Sequence, residues 1–246
     1  MKSTVSSRSL SGKDLLHKLR AMEPAGSTFD AAEPAPSDVP APSCTGPGRN
    51  ELGASVIYKA ASWFELLDWR AVFERDQPIE IDLGCGKGSF LLWAANMRRD
   101  RNFLGVERLL RRLRRVDRKA VRSRLNNVRL IRLEAAYLVT KLVPDGSVSD
   151  YHVLFPDPWP KRRHQARRLI SPDFVTELHR TMTLGGTVNC ATDHLEYFEW
   201  IQRAFQTSGR FAETEPVALP PEARTDFEKE FVAAGKQVYR CQWLKR

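Results

Sequence analysis

Five carboxylates come at or just after the ends of short apolar runs in this chain. They are Asp82, Glu107, Glu134, Asp157 and Asp193. Such runs are typical of buried strands, and the carboxyl ends of parallel strands form the edge at which α/β sheets bind ligands. A single acid there is an ordinary loop residue, whereas five in equivalent positions predict a binding or catalytic edge.

The turn after the first of these strands has the composition of a cofactor loop. It reads D-x-G-x-G-x-G, with Gly84, Gly86 and Gly88 following Asp82. Glycines let the backbone approach a ligand, and Glu107, about 20 residues further on, is placed to accept hydrogen bonds from ribose hydroxyls. A carboxylate in the turn disfavours a pyrophosphate and suits a cation. The pattern therefore favours S-adenosylmethionine over NAD, and argues against a dehydrogenase.

A second unusual stretch, F-P-D-P-W-P-K-R-R-H, spans residues 155–164 and places Asp157 between two prolines. Proline fixes φ, and such rigidity is useful for positioning a functional carboxylate, although a turn-forming Asp is the alternative. The basic residues after it form either a solvated loop or contacts with nucleic-acid phosphates, and their clustering favours the contacts. They are Lys161, Arg162, Arg163, Arg167 and Arg168.

The elements that must position these residues alternate along the chain. We predict a first helix with Trp63, Phe64, Leu67 and Ala71 on one face. Further helices are predicted at 89–97, 108–125, 171–186 and 194–205, and strands at 78–83, 102–107, 127–135, 150–155, 187–193 and 238–245. Ser171 and Pro172 are typical of a helix start. This order predicts a doubly wound, mostly parallel α/β sheet with helices on both faces.

Charge and cysteine content narrow the function classes. The net charge of +9 and the isoelectric point of about 9.6 indicate a polyanionic partner, either nucleic acid or an anionic membrane. No apolar run reaches the roughly 20 residues of a membrane span. The four cysteines show no zinc-like spacing and fit a reducing compartment, so we expect no metal site. These cysteines are Cys44, Cys85, Cys190 and Cys241.

The chain divides into two parts by composition. Residues 1–50 include a stretch rich in Pro, Ala, Ser and Gly, which predicts a disordered tether, whereas 51–246 read as one folded domain. The Ser-rich and basic beginning leaves an organelle transit peptide open as the alternative to a cytoplasmic location.

Five segments, in this order, resemble the bacterial tRNA (guanine-N7-)-methyltransferases. They are IEIDLGCGKG, FLGVE, FPDPWPKRRHQARR, ATD and TDFE, and the resemblance covers residues 57–246. It implies a seven-stranded S-adenosylmethionine-dependent methyltransferase fold and methylation of N7 of a guanine in the tRNA variable loop. We also expect a cytoplasmic monomer or homodimer with no obligatory protein partner.

The resemblance also implies roles for individual residues. Asp157 would be the active-site residue. The cofactor-binding positions would be Asp82, Gly84, Gly86, Gly88, Glu107, Glu134 and Asp157, and the substrate-binding positions Lys161, Asp193, Thr225, Asp226, Phe227 and Glu228. Glu134 stands where Asp is usual, and Thr225-x-x-Glu228 is also a capping-box spacing.

The chemistry of N7 explains why a carboxylate suffices. N7 of guanine carries a lone pair and no proton, so the reaction requires alignment rather than a general base. One rival interpretation is an amino-methyltransferase, because the sequence DPW partly resembles the Asp-Pro-Pro-aromatic turn of such enzymes. Another is a non-catalytic RNA-binding module, which would not need five acids. Arg111, Arg115, Arg118 and Arg122 form a basic helical stripe, either a solvated face or a tRNA contact.

Overall fold

The computed structural model of the protein describes residues 54–246. The predicted tether at 1–50 and Cys44 lie outside the described residues. Within that range, the helices are all too short or too polar to cross a membrane.

The described residues form one seven-stranded sheet in the order β3-β2-β1-β4-β5-β7-β6. The strands are β1 (Ile79–Leu83), β2 (Asn102–Val106), β3 (Val128–Ile131), β4 (Val148–Leu154), β5 (Met182–Thr192), β6 (Phe211–Thr214) and β7 (Tyr239–Lys245). The first five pair in parallel, and β7 runs antiparallel to both β5 and β6. The predicted mostly parallel α/β sheet is therefore confirmed, while β6 was not predicted from the residues.

Helices cover both faces of this sheet. They are α1 (Trp69–Val72), α2 (Ser89–Met97), α3 (Leu110–Arg122), α4 (Ala135–Tyr137), α5 (Pro172–Thr181), α6 (Leu195–Ser208) and α7 (Asp226–Ala233). Two separate buried clusters form the core: one joins α2 and α3 to the sheet, and the other joins α5 and α6. The apolar spacing of residues 108–125 predicts one buried face with Leu109, Leu113, Val116 and Ala120. The last three are fully buried, whereas Leu109 is 48% exposed because it precedes the first residue of α3.

The predicted end of one helix is wrong. Helix α5 starts as predicted, with Ser171 accepting a hydrogen bond from Phe174 N, but it ends at Thr181, and the predicted terminal glycines lie in β5. At Gly186 a Cβ would lie 2.4 Å from Ser149 O, so glycine there permits close approach of β4.

The predicted first helix is also mostly absent. Only Trp69–Val72 is helical, and Phe64, which should face the core, is 87% exposed. The chain before it lies beside β3 instead, with Tyr58 N donating to Leu130 O and Leu130 N donating to Val56 O. Within the predicted helix itself, Leu67 N donates to Leu142 O at 2.7 Å, and Trp63 O accepts from the Tyr137 hydroxyl at 2.7 Å. These contacts with the segment after β3 take the place of the intrahelical hydrogen bonds that the apolar spacing indicated.

Candidate active site

The structure places all five predicted acids along one edge of the sheet. Asp82 lies within β1, Glu107 directly follows β2, and Asp193 directly follows β5. Glu134 and Asp157 each lie three residues beyond the ends of β3 and β4. Because these five strands are parallel neighbours, their carboxyl ends meet at the same edge.

The glycine turn between β1 and α2 has the conformation that its sequence requires. Gly84, Gly86 and Gly88 have φ of 89°, 55° and 76°, a region that residues with a side chain rarely adopt. The turn is tied to β2, because Gly84 N and Cys85 N both donate to Val106 O at 2.9 Å. A Cβ on Gly84 would meet nothing within 4 Å, which leaves open space beside the turn.

Asp82 is a buried carboxyl that accepts no hydrogen bond from the described residues. It is 4% exposed, and burial raises its pKa to about 7, with nearby Glu107 raising it and His152 lowering it. A buried charged group without a partner is costly, so such an acid either stays protonated or binds a cation. The side chain therefore favours a positively charged ligand group at the turn.

Glu107 is also buried but is partly held in place. One carboxylate oxygen accepts a hydrogen bond from Leu109 N at 2.7 Å, and the other lies 3.7 Å from the Arg112 guanidinium. These contacts orient the carboxylate at the end of β2, while its second oxygen has no hydrogen bond from the described residues. That oxygen is suited to a ribose hydroxyl.

Glu134 differs from these two acids because it is exposed. It precedes α4 and accepts a hydrogen bond from Tyr137 N at 2.9 Å, so it caps that short helix. The capping bond uses one carboxylate oxygen and leaves the other facing solvent beside β3.

Asp157 is exposed and lies in a strained turn. Phe155 and Trp159, on either side of it, have φ of 55° and 42°, and each precedes a proline. A left-handed conformation is unfavourable for bulky residues, and strain of this kind accumulates at functional sites. Phe155 N donates to Ala191 O of β5, which anchors the start of the turn. The backbone thus holds Asp157 in place without burying it.

The predicted basic residues after this turn divide into two groups. Four are exposed and form no ion pair within the described part of the chain, namely Lys161, Arg162, Arg163 and Arg167. The side chain of Arg168 is only 1% exposed; it pairs with Glu196 at 3.0 Å and donates to Pro158 O. Its guanidinium also stacks on Tyr197 and Trp200. Burial therefore argues against the predicted phosphate contact of Arg168, which instead secures the turn to α6.

Helix α7 packs against the edge that carries the five acids. Thr225 caps it by accepting a hydrogen bond from Glu228 N, and Asp226 accepts one from Ser89 Oγ at 2.8 Å. Phe227 lies against the Arg112 guanidinium, and its neighbour Phe231 lies 5.6 Å from the Phe155 ring. Helix α7, of which only the resemblance singled out the first residues, therefore contacts residues beside three strand ends.

Two predicted substrate-binding acids already have protein partners. Glu228 is 5% exposed and pairs with Arg240 at 2.5 Å and Arg224 at 3.5 Å, which ties α7 to β7. Asp193 pairs with Lys236 at 3.0 Å. These contacts favour a supporting role for Glu228 in holding α7.

Sequence reasoning missed the residues that join α7 to the rest of the edge. Ser89, Arg112 and Lys236 make these contacts. A signal existed for Ser89 and Arg112, because Ser89 directly follows the glycine turn and Arg112 lies five residues after Glu107. Their partners lie more than 100 residues away along the chain, a separation that local patterns do not encode.

A metal site and an internal cavity are the other features that could bind a ligand. The described residues contain no group of three His, Cys, Asp or Glu side chains that could hold a metal ion. A cavity of about 380 Å³ lies against β4, β5 and β7, between α2 and residues 216–219, and includes none of the five edge acids. The edge that carries the five predicted acids is therefore distinct from this cavity.

Comparison with known proteins agrees with this arrangement. A family model described as "Putative methyltransferase" matches residues 76–241. The tRNA (guanine-N(7)-)-methyltransferase of Geobacillus kaustophilus is 34% identical over 182 residues, covering 72% of this chain and 83% of that protein. That of Bacillus subtilis is 31% identical over 179 residues, covering 71% and 84%.

Solved structures support the fold alone. The crystal structure of the 16S rRNA methyltransferase KamB has a TM-score of 0.54 with 16% identity, and covers 72% of this chain and 91% of that one. The matched family model spans most of the described residues, and the relatives align along most of their own length. The chain belongs to the methyltransferase family that includes the bacterial tRNA (guanine-N(7)-)-methyltransferases.

Proposed function

We propose that the chain transfers a methyl group from S-adenosylmethionine to N7 of a guanine in the variable loop of tRNA. Family membership supports the reaction, and the ligand-binding edge supports the distribution of roles. The observation that carries most weight is that one edge of the sheet holds two different acids. Asp82 is buried without a partner at the glycine turn, and Asp157 is exposed on a rigid turn.

The residues present fit the cofactor. Asp82 would accept from its ammonium group, Glu107 from its ribose, and Glu134 from the adenine amino group. The open space beside Gly84 leaves room for a ligand against the backbone. When bound, S-adenosylmethionine supplies a methyl group activated by a positively charged sulfur.

The target half of the edge orients the base. The carboxylate of Asp157 would accept hydrogen bonds from N1–H and the exocyclic amino group of guanine. Adenine has no proton on N1, so this pair of bonds selects guanine. The carboxylate also stabilises the positive charge that develops on the base when N7 forms its new bond. It need not remove a proton, because N7 carries none.

The exposed cations next to Asp157 hold the RNA. Lys161, Arg162, Arg163 and Arg167 follow the turn directly, so they lie where phosphates adjoining a bound guanine would pass. Trp159 is enclosed by His164 and Arg167, with ring centroids of Trp159 and His164 5.7 Å apart. This packing favours a role for Trp159 in supporting the turn rather than in stacking on a base.

The experiment that tests this function locates the transferred methyl group. The protein is incubated with methyl-labelled S-adenosylmethionine and unmodified tRNA. The product is reduced with borohydride and then treated with aniline, which together cut the chain at N7-methylguanine. We expect label in the RNA and scission at one guanine of the variable loop. The matched control is the same tRNA with 7-deazaguanosine at that position, which should take no label. Label in adenine, or in the 7-deaza tRNA, would contradict the proposal.

A further inference from the structure

Helix α3 carries a basic surface that the proposed chemistry does not use. Residues 108–124 contain one acid, Asp117, and nine cations: Arg108, Arg111, Arg112, Arg114, Arg115, Arg118, Lys119, Arg122 and Arg124. Leu113, Val116 and Ala120 are buried against the sheet, so the opposite face turns outward. We call the exposed residues on that face the arginine stripe: Arg111, Arg115, Arg118 and Arg122.

The charges of the arginine stripe are not neutralised within the described residues. None of its four side chains lies within ion-pair distance of an acid there, and the neighbouring Arg112 takes Glu107 as its partner. The one acid of the helix is already occupied, because Asp117 accepts from Ser55 Oγ at 3.0 Å and from Val56 N at 2.7 Å. The stripe therefore presents uncompensated positive charge to solvent.

The spacing within the stripe works against helix stability. Arg111 and Arg115, and again Arg118 and Arg122, are four residues apart, and Arg115 and Arg118 are three apart. Like charges at these spacings repel across the helix surface, and an ordinary solvated helix face mixes both signs. An external polyanion would relieve this repulsion.

The position of α3 connects the stripe to the proposed active site. The helix begins three residues after Glu107, at the ligand-binding edge, and its 13 residues extend for about 20 Å. The strand β2 before it and the strand β4 that leads to Lys161 lie on either side of β1. Because β1 leads into the glycine turn, the segments that lead to the stripe and to Lys161, Arg162, Arg163 and Arg167 start from strands on either side of that turn, and adjacent strands are about 4.8 Å apart.

We propose that the arginine stripe binds the phosphate backbone of the tRNA while its guanine occupies the edge. This inference rests on the proposed function and adds a second contact surface to it. A helix of this length reaches several successive phosphates, and arginine suits phosphate oxygens because its guanidinium donates in a planar fork. The partner is an RNA backbone rather than an acidic protein or a lipid surface, because the stripe leads directly from the edge at which a base must be presented.

The test neutralises the stripe with the fourfold variant Arg111→Gln, Arg115→Gln, Arg118→Gln, Arg122→Gln. The matched control removes four exposed arginines that form no ion pair within the described residues and lie away from the edge, namely Arg75, Arg203, Arg210 and Arg246. The Kd for full-length tRNA is measured for both variants and the wild type as a function of salt. The cofactor Kd, the thermal midpoint and binding to vesicles of anionic lipid are measured for the same three proteins.

We expect the stripe variant to bind tRNA at least tenfold more weakly at low salt. The slope of log Kd against log salt should fall by about three, since each lost phosphate contact removes about one from it. Its cofactor Kd should be unchanged, and its thermal midpoint should equal or exceed that of the wild type because repulsion is removed. In the control variant, the salt slope should fall by less than a third of the decrease seen in the stripe variant.

Three outcomes would overturn the inference. An unchanged tRNA Kd and salt slope in the stripe variant would do so, as would an equal loss in the control, which would reveal a general effect of net charge. Unchanged tRNA binding with lost binding to vesicles of anionic lipid would assign the surface to a membrane instead. A wild type that makes no N7-methylguanine would instead reject the proposed function, so the two failures are distinguishable.

Discussion

The two halves of the ligand-binding edge hold their acids in different ways. Around β1 and β2, Asp82 and Glu107 are buried, and burial raises the pKa of Asp82 to about 7. Around β4, Asp157 is exposed and is held by a turn whose residues Phe155 and Trp159 adopt left-handed conformations. A small cofactor can be enclosed by desolvated groups. A tRNA remains largely outside the protein, so the group that we propose to meet its base is held by a rigid backbone instead.

The largest effect is expected from Asp157→Asn in the exposed half. The amide keeps the shape but loses the negative charge, and its NH₂ cannot accept from guanine N1–H or its amino group. Methyl transfer should slow by about 100-fold to 1,000-fold, as is typical when a group that stabilises transition-state charge is removed. Single-turnover methylation of tRNA measures the change.

The control for this variant is its stability. Because Asp157 is exposed, the thermal midpoint and the tRNA Kd should stay near the wild-type values. Near wild-type methyl transfer in Asp157→Asn would sink the role given to this side chain.

In the buried half, Asp82→Asn should separate binding from stability. Cofactor Kd should rise by about 10-fold to 100-fold, since a charge-assisted bond to the ammonium group is lost. The free energy of unfolding at pH 8 should increase, because the wild type buries a carboxylate that the variant replaces with a neutral amide. Calorimetric titration and thermal melting measure the two changes, and a variant that is less stable and binds normally would contradict this account.

The stability of the wild type and of Asp82→Asn should depend on pH in different ways. The pKa of Asp82 is about 7 in the folded chain and 3.8 in the reference state, so the folded chain binds a proton more tightly. The stabilisation of the folded wild type by the protonated Asp82 is complete below about pH 4 and is lost as the pH rises through 7. The stability advantage of Asp82→Asn should therefore grow from pH 4 to 7 and then level off. Wild-type cofactor affinity should weaken below pH 7, whereas that of Asp82→Asn should change little.

A matched pair of glycine variants should show which part of the turn faces the ligand. In Gly88→Ala the new Cβ would lie 2.6 Å from a methyl group of buried Val116, so we expect a loss of about 2 to 3 kcal/mol in unfolding free energy. In Gly84→Ala the Cβ meets no protein atom, so the loss should be about 1 kcal/mol, from the positive φ alone. Cofactor binding should be lost at Gly84 out of proportion to stability. Equal losses of stability in both would refute the distinction.

The smallest effects are expected from single charges beside Asp157. Lys161→Gln and Arg163→Gln should each weaken tRNA binding a few-fold and lower its salt slope by about one. Arg168→Gln should act differently, since its guanidinium is buried against α6: it should lower the thermal midpoint and leave the salt slope unchanged. A salt-slope effect of Arg168 as large as that of Lys161 would contradict the assignment of Arg168 to the protein interior.

The buried half was the more predictable from sequence. A buried strand, three glycines and an acid at the end of the next strand are local patterns, and each follows from one short stretch of chain. Elsewhere in the chain, the predicted start of α5 at Ser171 is confirmed because a helix cap is also a local pattern.

The exposed half depends on contacts that local patterns do not specify. Ser89 bonds to Asp226, 137 residues away, and α7 is held by such contacts rather than by its own apolar spacing. The basic run looked uniform in sequence, yet Arg168 turns inward to Glu196 while its neighbours face solvent. Gly185 and Gly186 suggested a helix end, but both lie in β5, where the glycine at 186 permits the close approach of β4.

The most direct test of this division is the single-turnover rate constant of the wild type, Asp82→Asn and Asp157→Asn at saturating cofactor and tRNA. We predict that Asp82→Asn recovers to within about threefold of the wild type, because its defect lies in cofactor binding. Asp157→Asn should remain about 100-fold slower or more at any cofactor concentration, because its defect lies in the transfer step. Full recovery of Asp157→Asn at saturating cofactor would show that both acids serve cofactor binding, and would contradict the account.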